Sequence, residues 1–218
     1  MSDELLVRWS GRVAYEPAWR AMQAFTDARG AGTTDELWVV EHDPVFTLGR
    51  VARREHLLDP GPVPVVQVDR GGQVTYHGPG QVVVYTLLDL RRLGIGVRRL
   101  VSTLEAAVIE VLGEQGLAAA TRPGAPGVYV DGRKIAALGL RVRRGCSFHG
   151  LALNVDCDPA AFDRIDPCGY RGLGVTRTRD EGVTVDAEVL AGALVDRLAA
   201  RLGYAAVVAA APPALEPA

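Results

Sequence analysis

The fold is decided by residues 127–155, which read GVYVDGRKIAALGLRVRRGCSFHGLALNV. Asp131-Gly132-Arg133 separates the first apolar run from the second, and a turn at Arg144-Gly145 precedes the third. Asp-Gly between two apolar runs is a strong hairpin signal, because these residues accept the positive φ angles of a tight turn. The stretch therefore predicts three consecutive strands at 127–130, 134–142 and 148–155.

Helices and further strands flank this stretch. The spacing of apolar residues predicts helices over 17–29 and from Leu100 to about Gly116, and a third that begins at an Asp186 N-cap. Short strands are predicted at 37–40, 45–48, 65–69 and 81–88. We expect one α/β domain over residues 1–204, an α+β-type mixed sheet flanked by helices. An Ala/Pro-rich tail without ordered structure is expected at 205–218.

The composition argues against several classes of protein. The 218-residue chain has 24 basic and 26 acidic residues and a net charge of −2, whereas a general nucleic-acid binder is strongly basic. Its longest apolar run, 205–211, is far shorter than the roughly 20 residues that span a bilayer. The acidic start lacks an export signal, and the three cysteines match neither a disulfide framework nor a zinc site. We expect a cytoplasmic protein that binds no nucleic acid, membrane or metal.

Lysine and asparagine each occur once, at Lys134 and Asn154, although the chain has 24 basic residues. A GC-rich coding bias would deplete both residue types and leave single copies by chance. The alternative is that position 134 needs a transferable proton, which lysine supplies and arginine does not. Strand alternation puts Lys134 on the apolar face of Ala136, Leu138 and Leu140. There it must either extend past the strand end or be held by a partner.

A glycine-rich run, RGGQVTYHGPGQ at residues 70–81, joins two predicted strands. Its glycines allow a sharp turn or the close approach of a ligand. It matches neither a Walker A loop nor a dinucleotide-binding turn. A plain connection between strands is one interpretation, but the concentration of Arg, Gln, Thr, Tyr and His favours a binding loop.

Three cysteines compete for the role of nucleophile. Acidic neighbours raise the pKa of a thiol such as Cys157, and Cys146 lies in an arginine-flanked turn. Cys168 lies in an Asp-Pro-Cys-Gly turn that can present a thiol to a cleft, although an isolated cysteine is more often inert. His149 and Asn154 add polar atoms to the strand beside the hairpin, where His149 is equally well explained as a core residue.

Four ordered motifs, with EHDPVFTLG at 41–49, resemble the lipoyl(octanoyl) transferase family, also called lipoate-protein ligase B. The motifs are RGGQVTYHGPGQ (70–81), DGRKIAALGLRV (131–142), FHGLALNV (148–155) and PCG (167–169). The resemblance covers about residues 5–204 and implies the biotin/lipoate protein ligase catalytic fold. It implies a cofactorless transfer of an octanoyl group from octanoyl-acyl carrier protein, through an acyl-cysteine thioester.

The resemblance also implies acceptors and site residues. The acceptors would be lysines in the lipoyl domains of 2-oxoacid dehydrogenase complexes and in the glycine cleavage H protein. Cys168 would be the nucleophile and Lys134 its partner, with His149 and Asn154 in support. The acyl site would be lined by Arg70, Gly71, Gly72, Gln73, Val74, Thr75, Tyr76 and His77, by Ala137, Leu138 and Gly139, and by Gly150, Leu151 and Ala152.

The chemistry also follows from the residues alone. Reference pKa values of about 8.5 for cysteine and 10.4 for lysine place a shared proton on nitrogen, which leaves the reactive thiolate. Two alternative functions would use Cys168 differently. An ATP-dependent lipoate or biotin ligase would not need it, and a non-catalytic domain that binds an acylated carrier or a small acid would leave it chemically ordinary.

Local arginines are candidates for docking an acidic carrier protein. They are Arg141, Arg143 and Arg144, with the pairs Arg91-Arg92 and Arg98-Arg99. Alternation puts Arg141 and Arg143 on one strand face, opposite Lys134. Ordinary solvated arginines are the alternative interpretation.

Overall fold

An eight-stranded mixed sheet forms the centre of the computed structural model, which describes residues 4–215 apart from the side chain of Cys168. The strands are β1 (Glu4–Val13), β2 (Asp35–His42), β3 (Val45–Leu48), β4 (Val65–Gln67), β5 (Val74–His77), β6 (Gln81–Leu87), β7 (Ala119–Thr121), β8 (Val128–Val130), β9 (Arg133–Arg143), β10 (Cys146–Asn154) and β11 (Ala206–Ala210). The helices are α1 (Tyr15–Ala28), α2 (Val97–Glu114) and α3 (Ala187–Leu202), with short 3-10 turns at Arg54–His56, Pro159–Arg164 and Pro167–Gly169.

The main sheet has the order β11-β1-β2-β6-β10-β9-β8-β7. β1 runs parallel to β2 and β11, and the remaining neighbours are antiparallel. The predicted hairpins are confirmed. Asp131 and Gly132 have φ angles of 47° and 77°, and Arg144 and Gly145 have 50° and 82°, as a two-residue turn with two positive φ angles requires.

Helices cover both faces of the main sheet, which explains why its central strands are apolar throughout. Val82 and Val84 of β6 pack in the core beneath α2 and α3. Val83 and Tyr85, which point the other way, pack beneath α1. A second sheet, β4-β3-β5, completes the α1 side of the molecule. The predicted fold, a mixed sheet flanked by helices in one α/β domain, is confirmed.

Three local expectations need correction. Residues 206–210 of the expected tail form β11, because their backbone groups pair with the outer edge of β1; residues 216–218 lie outside the described part. The glycine-rich run contains a strand, β5, which pairs with β3. Helix α3 follows Asp186, but the Asp186 side chain forms no cap hydrogen bond within residues 4–215.

Among residues 4–215, no helix combines the length and the apolar character needed to cross a bilayer.

Candidate active site

A β-bulge in β9 determines which way the only lysine points. Val128 of β8 pairs with Ala136, and the next residue, Tyr129, pairs with Lys134, so Ile135 is an extra residue in β9. Ile135 and Ala136 both pack in the core beneath α2 and α3. Because an extra residue reverses the alternation beyond it, Lys134 lies on the opposite face from Ala136. The expectation that the two share a face is wrong, since alternation assumes an unbroken ladder.

The Lys134 side chain is buried and held in place. The residue is 3% exposed. Its Nζ donates a hydrogen bond to the carbonyl oxygen of Pro126 at 3.0 Å and lies 5.2 Å from the ring centre of Tyr129. A Cβ on Gly127, whose φ is 141°, would come within 2.9 Å of Nζ, so glycine is needed there. Lys134 is therefore held by a partner rather than extended past the strand end.

A neighbouring segment fixes the Lys134 backbone. The Lys134 N–H donates to the carbonyl oxygen of Gly174 at 2.8 Å, and its own carbonyl accepts from the Thr176 N–H at 3.0 Å. The Thr176 hydroxyl donates to Glu181, which also pairs with Arg133 at 3.0 Å. Three features therefore set the position of the ammonium group: the bulge at Ile135, the parallel pairing of Lys134 with Val175, and the Arg133–Glu181 ion pair.

A cavity lies on the Lys134 side of the main sheet, between β6, β9, β10 and the segment around β5. Most of the residues predicted from the sequence line it. They are Arg70, Gly72, Gln73, Val74, Thr75, His77, Lys134, Ala137, Leu138, Gly139, His149, Gly150, Leu151, Ala152 and Asn154. Gly150 is needed because a side chain there would overlap the carbonyl oxygen of Val84. Pro167, next to Cys168 in the chain, lines the same cavity.

Two of the predicted lining residues lie elsewhere. Tyr76 packs against Phe46 and Phe162, with ring centres 5.4 and 5.6 Å apart, in a separate apolar cluster. It does so because residues 74–77 form a strand, in which neighbouring side chains alternate. Gly71 donates its N–H to the carbonyl oxygen of Leu140 at 2.9 Å and faces a second groove.

Buried rings from four separate elements lie beside the cavity. Tyr15 stacks on His77 with ring centres 5.6 Å apart, and His42 lies 5.0 Å from Tyr15. The His42 ring also bonds the Val13 carbonyl at 2.9 Å and the Tyr85 hydroxyl at 2.5 Å. Burial lowers the pKa of His42 to about 4 and the pKa of His77 well below its usual value. Both imidazoles are therefore neutral near pH 7. This cluster is not predictable from the sequence, because no local pattern joins its members.

A half-buried carboxylate orients His149. Asp69 pairs with His149 Nε2 at 2.9 Å and accepts from Trp19 Nε1 at 2.8 Å and Gln23 Nε2 at 3.3 Å. Burial opposes ionisation of Asp69, but these hydrogen bonds outweigh it and hold the pKa of Asp69 below its usual range. Burial also lowers the pKa of His149 despite the carboxylate. A neutral His149 therefore donates Nε2–H to Asp69, which leaves Nδ1 as an acceptor.

A chain of amide groups connects the cavity wall to the Lys134 segment. Gln81 contacts His77 Nδ1 through Oε1 at 3.1 Å and donates from Nε2 to Asn154 Oδ1 at 2.9 Å. Asn154 in turn donates to the carbonyl oxygen of Thr176 at 3.0 Å. The only asparagine in the chain thus joins β10 to the segment that holds Lys134.

The turn Pro167–Gly169 is braced by His56, which no sequence pattern marks as functional. His56 Nδ1 contacts Asp166 Oδ2 at 3.1 Å, and the Asp166 N–H donates to the His56 carbonyl at 2.8 Å. A Cβ built on Gly169 would lie 3.2 Å from His56 Nε2. The side chain of Cys168 lies outside the described part of the structure, so its assignment as nucleophile stays a prediction.

The other two cysteines are buried free thiols. Burial raises the pKa of Cys157 to about 12, with further contributions from Asp158 and Asp156 against the opposing effect of Arg177. Cys157 is therefore unsuited to act as a thiolate, and burial is a stronger reason than the acidic neighbours proposed from sequence. No group of three His, Cys, Asp or Glu residues that could hold a metal ion is found in residues 4–215.

Three of the candidate docking arginines already have partners within the described fold, and one of them, Arg92, pairs with the buried Asp35 at 2.7 Å. Arg143 pairs with Asp27 of α1 at 2.8 Å, and Arg144 donates to the carbonyl oxygens of Thr26 and Asp27. These contacts tie the β9–β10 turn to α1. Because of the bulge, Arg143 lies on the same side of β9 as Lys134, so the expectation of opposite faces is wrong.

Comparison with known proteins gives matches over almost the whole chain. A family model for the lipoyl protein ligase A/B catalytic domain matches residues 14–199. The chain is 59% identical over 205 residues to an octanoyltransferase of Pseudomonas fluorescens strain SBW25, covering 94% of this chain and 95% of that protein. It is 62% identical over 198 residues to an octanoyltransferase of Methylococcus capsulatus, covering 91% and 96%.

A solved structure shares the fold at much lower identity. The crystal structure of a lipoate-protein ligase A bound with ATP superposes with a TM-score of 0.78 at 17% sequence identity. The match covers 99% of this chain and 90% of that one. This likeness concerns the fold alone.

Proposed function

The chain belongs to the lipoyl protein ligase A/B catalytic domain family, and on that premise we propose that it transfers octanoyl groups through a Cys168 thioester. The resemblance to octanoyltransferases is confirmed by identities of 59% and 62% over most of the chain. It is an acyltransferase that acts in protein lipoylation. We propose that Cys168 carries the acyl group and that Lys134 moves the protons.

One observation carries the proposal. The only lysine, turned by a bulge out of the core and 3% exposed, lines the same cavity as Pro167, the residue before Cys168. A lysine at this position can donate and accept the protons of a reaction at the Cys168 thiol. A structural lysine would not need a one-residue insertion to face a cavity.

In the first half-reaction, the Cys168 thiolate attacks the carbonyl carbon of the octanoyl thioester. A carbon–sulfur bond to Cys168 forms, and the carbon–sulfur bond to the carrier breaks. The carrier sulfur leaves with the electron pair and takes a proton from the Lys134 ammonium. This step yields octanoyl-Cys168, a free carrier thiol and a neutral Lys134.

In the second half-reaction, a lysine amine of the acceptor attacks the octanoyl-Cys168 carbonyl. A carbon–nitrogen bond forms, the carbon–sulfur bond to Cys168 breaks, and the proton of the attacking amine passes to Lys134. The products are an octanoyl amide, the Cys168 thiolate and the Lys134 ammonium. The starting protonation state is restored, so each turnover needs no further reactant.

The ATP-dependent ligase is not favoured. The relatives at about 60% identity are named octanoyltransferases, whereas the ATP-bound ligase shares 17% identity and only the fold. A non-catalytic binding domain is also disfavoured, because it gives no reason for the buried lysine beside the cysteine turn.

The partners that fit this chemistry are an octanoyl-acyl carrier protein as donor and lipoyl domains as acceptors. The acceptors we propose are those of 2-oxoacid dehydrogenase complexes and the glycine cleavage H protein. A thioester donor supplies an activated acyl group, so no nucleotide is needed for either half-reaction.

Peptide mapping after incubation with octanoyl-carrier protein tests the proposal. We expect a mass increase of one octanoyl group on Cys168, its loss when a lipoyl domain is added, and no dependence on ATP. Cys168→Ser should lose nearly all transfer, because a serine hydroxyl is a far weaker nucleophile near neutral pH. Cys146→Ser is the matched control. Octanoylation of Cys146 in place of Cys168 would overturn the assignment.

A further inference from the structure

A groove of about 630 Å³ runs along the edge of β9 beyond the acyl cavity. β8 pairs with β9 only as far as Ala136, and beyond that point the segment at Gly71 approaches the β9 edge, where the Gly71 N–H donates to the Leu140 carbonyl oxygen. The apolar wall comes from Leu90, Ile95, Val97, Leu140 and Val142. The volume of the groove lies within the range of sites that bind small molecules or prosthetic groups.

The groove is positively charged. Arg50, Arg91 and Arg141 line it, against one acidic residue, Asp69. Within the described chain none of these three guanidinium groups pairs with a carboxylate, whereas Asp69 is already bonded to His149, Trp19 and Gln23. Three unpaired guanidinium groups around an apolar wall fit an elongated ligand with an anionic group at one end.

The groove adjoins the predicted nucleophile through the glycine-rich segment. Gly71 lines the groove, and Gln73, two residues further on, lies at most about 7 Å away along the backbone. A Cβ built on Gly169 would lie 3.5 Å from Gln73 Cγ. The far wall of the groove is therefore a short distance from the turn that contains Cys168.

We propose that this groove binds the phosphopantetheine arm of the acyl donor, with Arg50, Arg91 and Arg141 around its phosphate. Thirteen covalent bonds separate the phosphorus from the thioester sulfur of such an arm, which spans about 16 Å when extended at ~3.8 Å per three bonds. An arm of this length is long enough to cover the span from Gly71 to Gln73 and the contact between Gln73 and the cysteine turn. The inference rests on the proposed function, because it assigns the donor of that reaction.

Two small donors that differ only in the phosphate test the groove. We would measure kcat/KM with octanoyl-phosphopantetheine and with octanoyl-pantetheine, using a lipoyl domain as acceptor. In the unmodified protein we expect the phosphorylated donor to be at least tenfold better. In the triple variant R50A/R91A/R141A this ratio should fall close to one, through loss of the phosphorylated donor alone. The effect should weaken as salt is raised.

Arg201→Ala is the matched control. Arg201 pairs with Glu110 on α2, thirteen residues and about 20 Å along the helix from Val97 of the groove. This variant should keep the full preference for the phosphorylated donor. Circular dichroism of each variant checks that the fold is retained.

Several results would overturn the inference. Equal use of both donors by the unmodified protein would leave the groove without its ligand, while octanoyl transfer itself would stand. A loss of both donors in the triple variant would mean that the arginines support the active site. A loss seen only with intact carrier protein would assign them to the acidic surface of the carrier. Failure to use any thioester donor would instead refute the proposed function.

Discussion

Replacing Lys134 with arginine separates charge from proton transfer. Arginine keeps the positive charge beside the cysteine turn but cannot give up its proton. We expect Lys134→Arg to lose at least about 100-fold in kcat, the lower end for a missing general acid or base. That corresponds to about 2.7 kcal/mol in the activation barrier.

The structure adds a steric reason that the assay must separate from the chemical one. Gly127 and the Pro126 carbonyl lie tightly around Nζ, so a larger guanidinium displaces this segment. Lys134→Ala avoids the crowding and leaves space near the cavity. Small primary amines added to this variant should restore part of the transfer, whereas guanidine should not, because only the amines exchange a proton near neutral pH.

The assay is the rate of octanoyl amide formation on a lipoyl domain, followed by intact mass. Rescue should be greatest for amines whose pKa lets them donate a proton in the first half-reaction and accept one in the second. An Arg variant with most of its activity, or rescue by guanidine equal to that by amines, would reduce Lys134 to a counter-ion and refute the shuttle.

Three further predictions concern groups outside the Lys134 segment. Cys157, 1% exposed and with its pKa raised by burial to about 12, should resist iodoacetamide until urea unfolds the protein; rapid alkylation in the native state would contradict this. His56→Ala should slow transfer about tenfold by loosening the cysteine turn, whereas His56→Asn, which keeps a donor near the Nδ1 position, should recover most of it. Equal losses in both variants would point to a role for Nε2 instead. Because burial lowers the pKa of His42 from 6.5 to about 4, the unfolded state takes up this proton first as the pH falls. Titration of this group should therefore lower the free energy of unfolding by about 3 kcal/mol between pH 6.5 and 4. In urea titrations, the stability of His42→Gln should fall by that much less over the same pH range.

Local turn chemistry made the hairpins predictable. Asp131-Gly132 readily accepts two positive φ angles, and Gly145 favours a turn after Arg144, so the three strands follow from the sequence. The cavity lining followed largely from the family motifs. The exceptions are Tyr76, which faces away because residues 74–77 form a strand, and Gly71, whose N–H is bonded to the Leu140 carbonyl oxygen.

Features that depend on distant pairing could not be predicted. The bulge at Ile135 shifts the register between β8 and β9, and next to it Lys134 also pairs with Val175, which lies 41 residues further along the chain. The Tyr15, His42 and His77 cluster joins single residues from separate elements. The His56–Asp166 contact joins residues 110 positions apart, and the sequence around neither residue predicts it.

The parallel pairing of β1 with β11 has a consequence for biosynthesis. Nearly 200 residues separate Val13 from Ala206, so at 5–20 residues per second β1 waits roughly 10–40 s for its outer partner. Throughout that interval its outer backbone edge is an open template for another nascent chain. The half-made polypeptide on the ribosome is therefore the aggregation-prone form of this molecule, and slow translation of its last third lengthens the exposure.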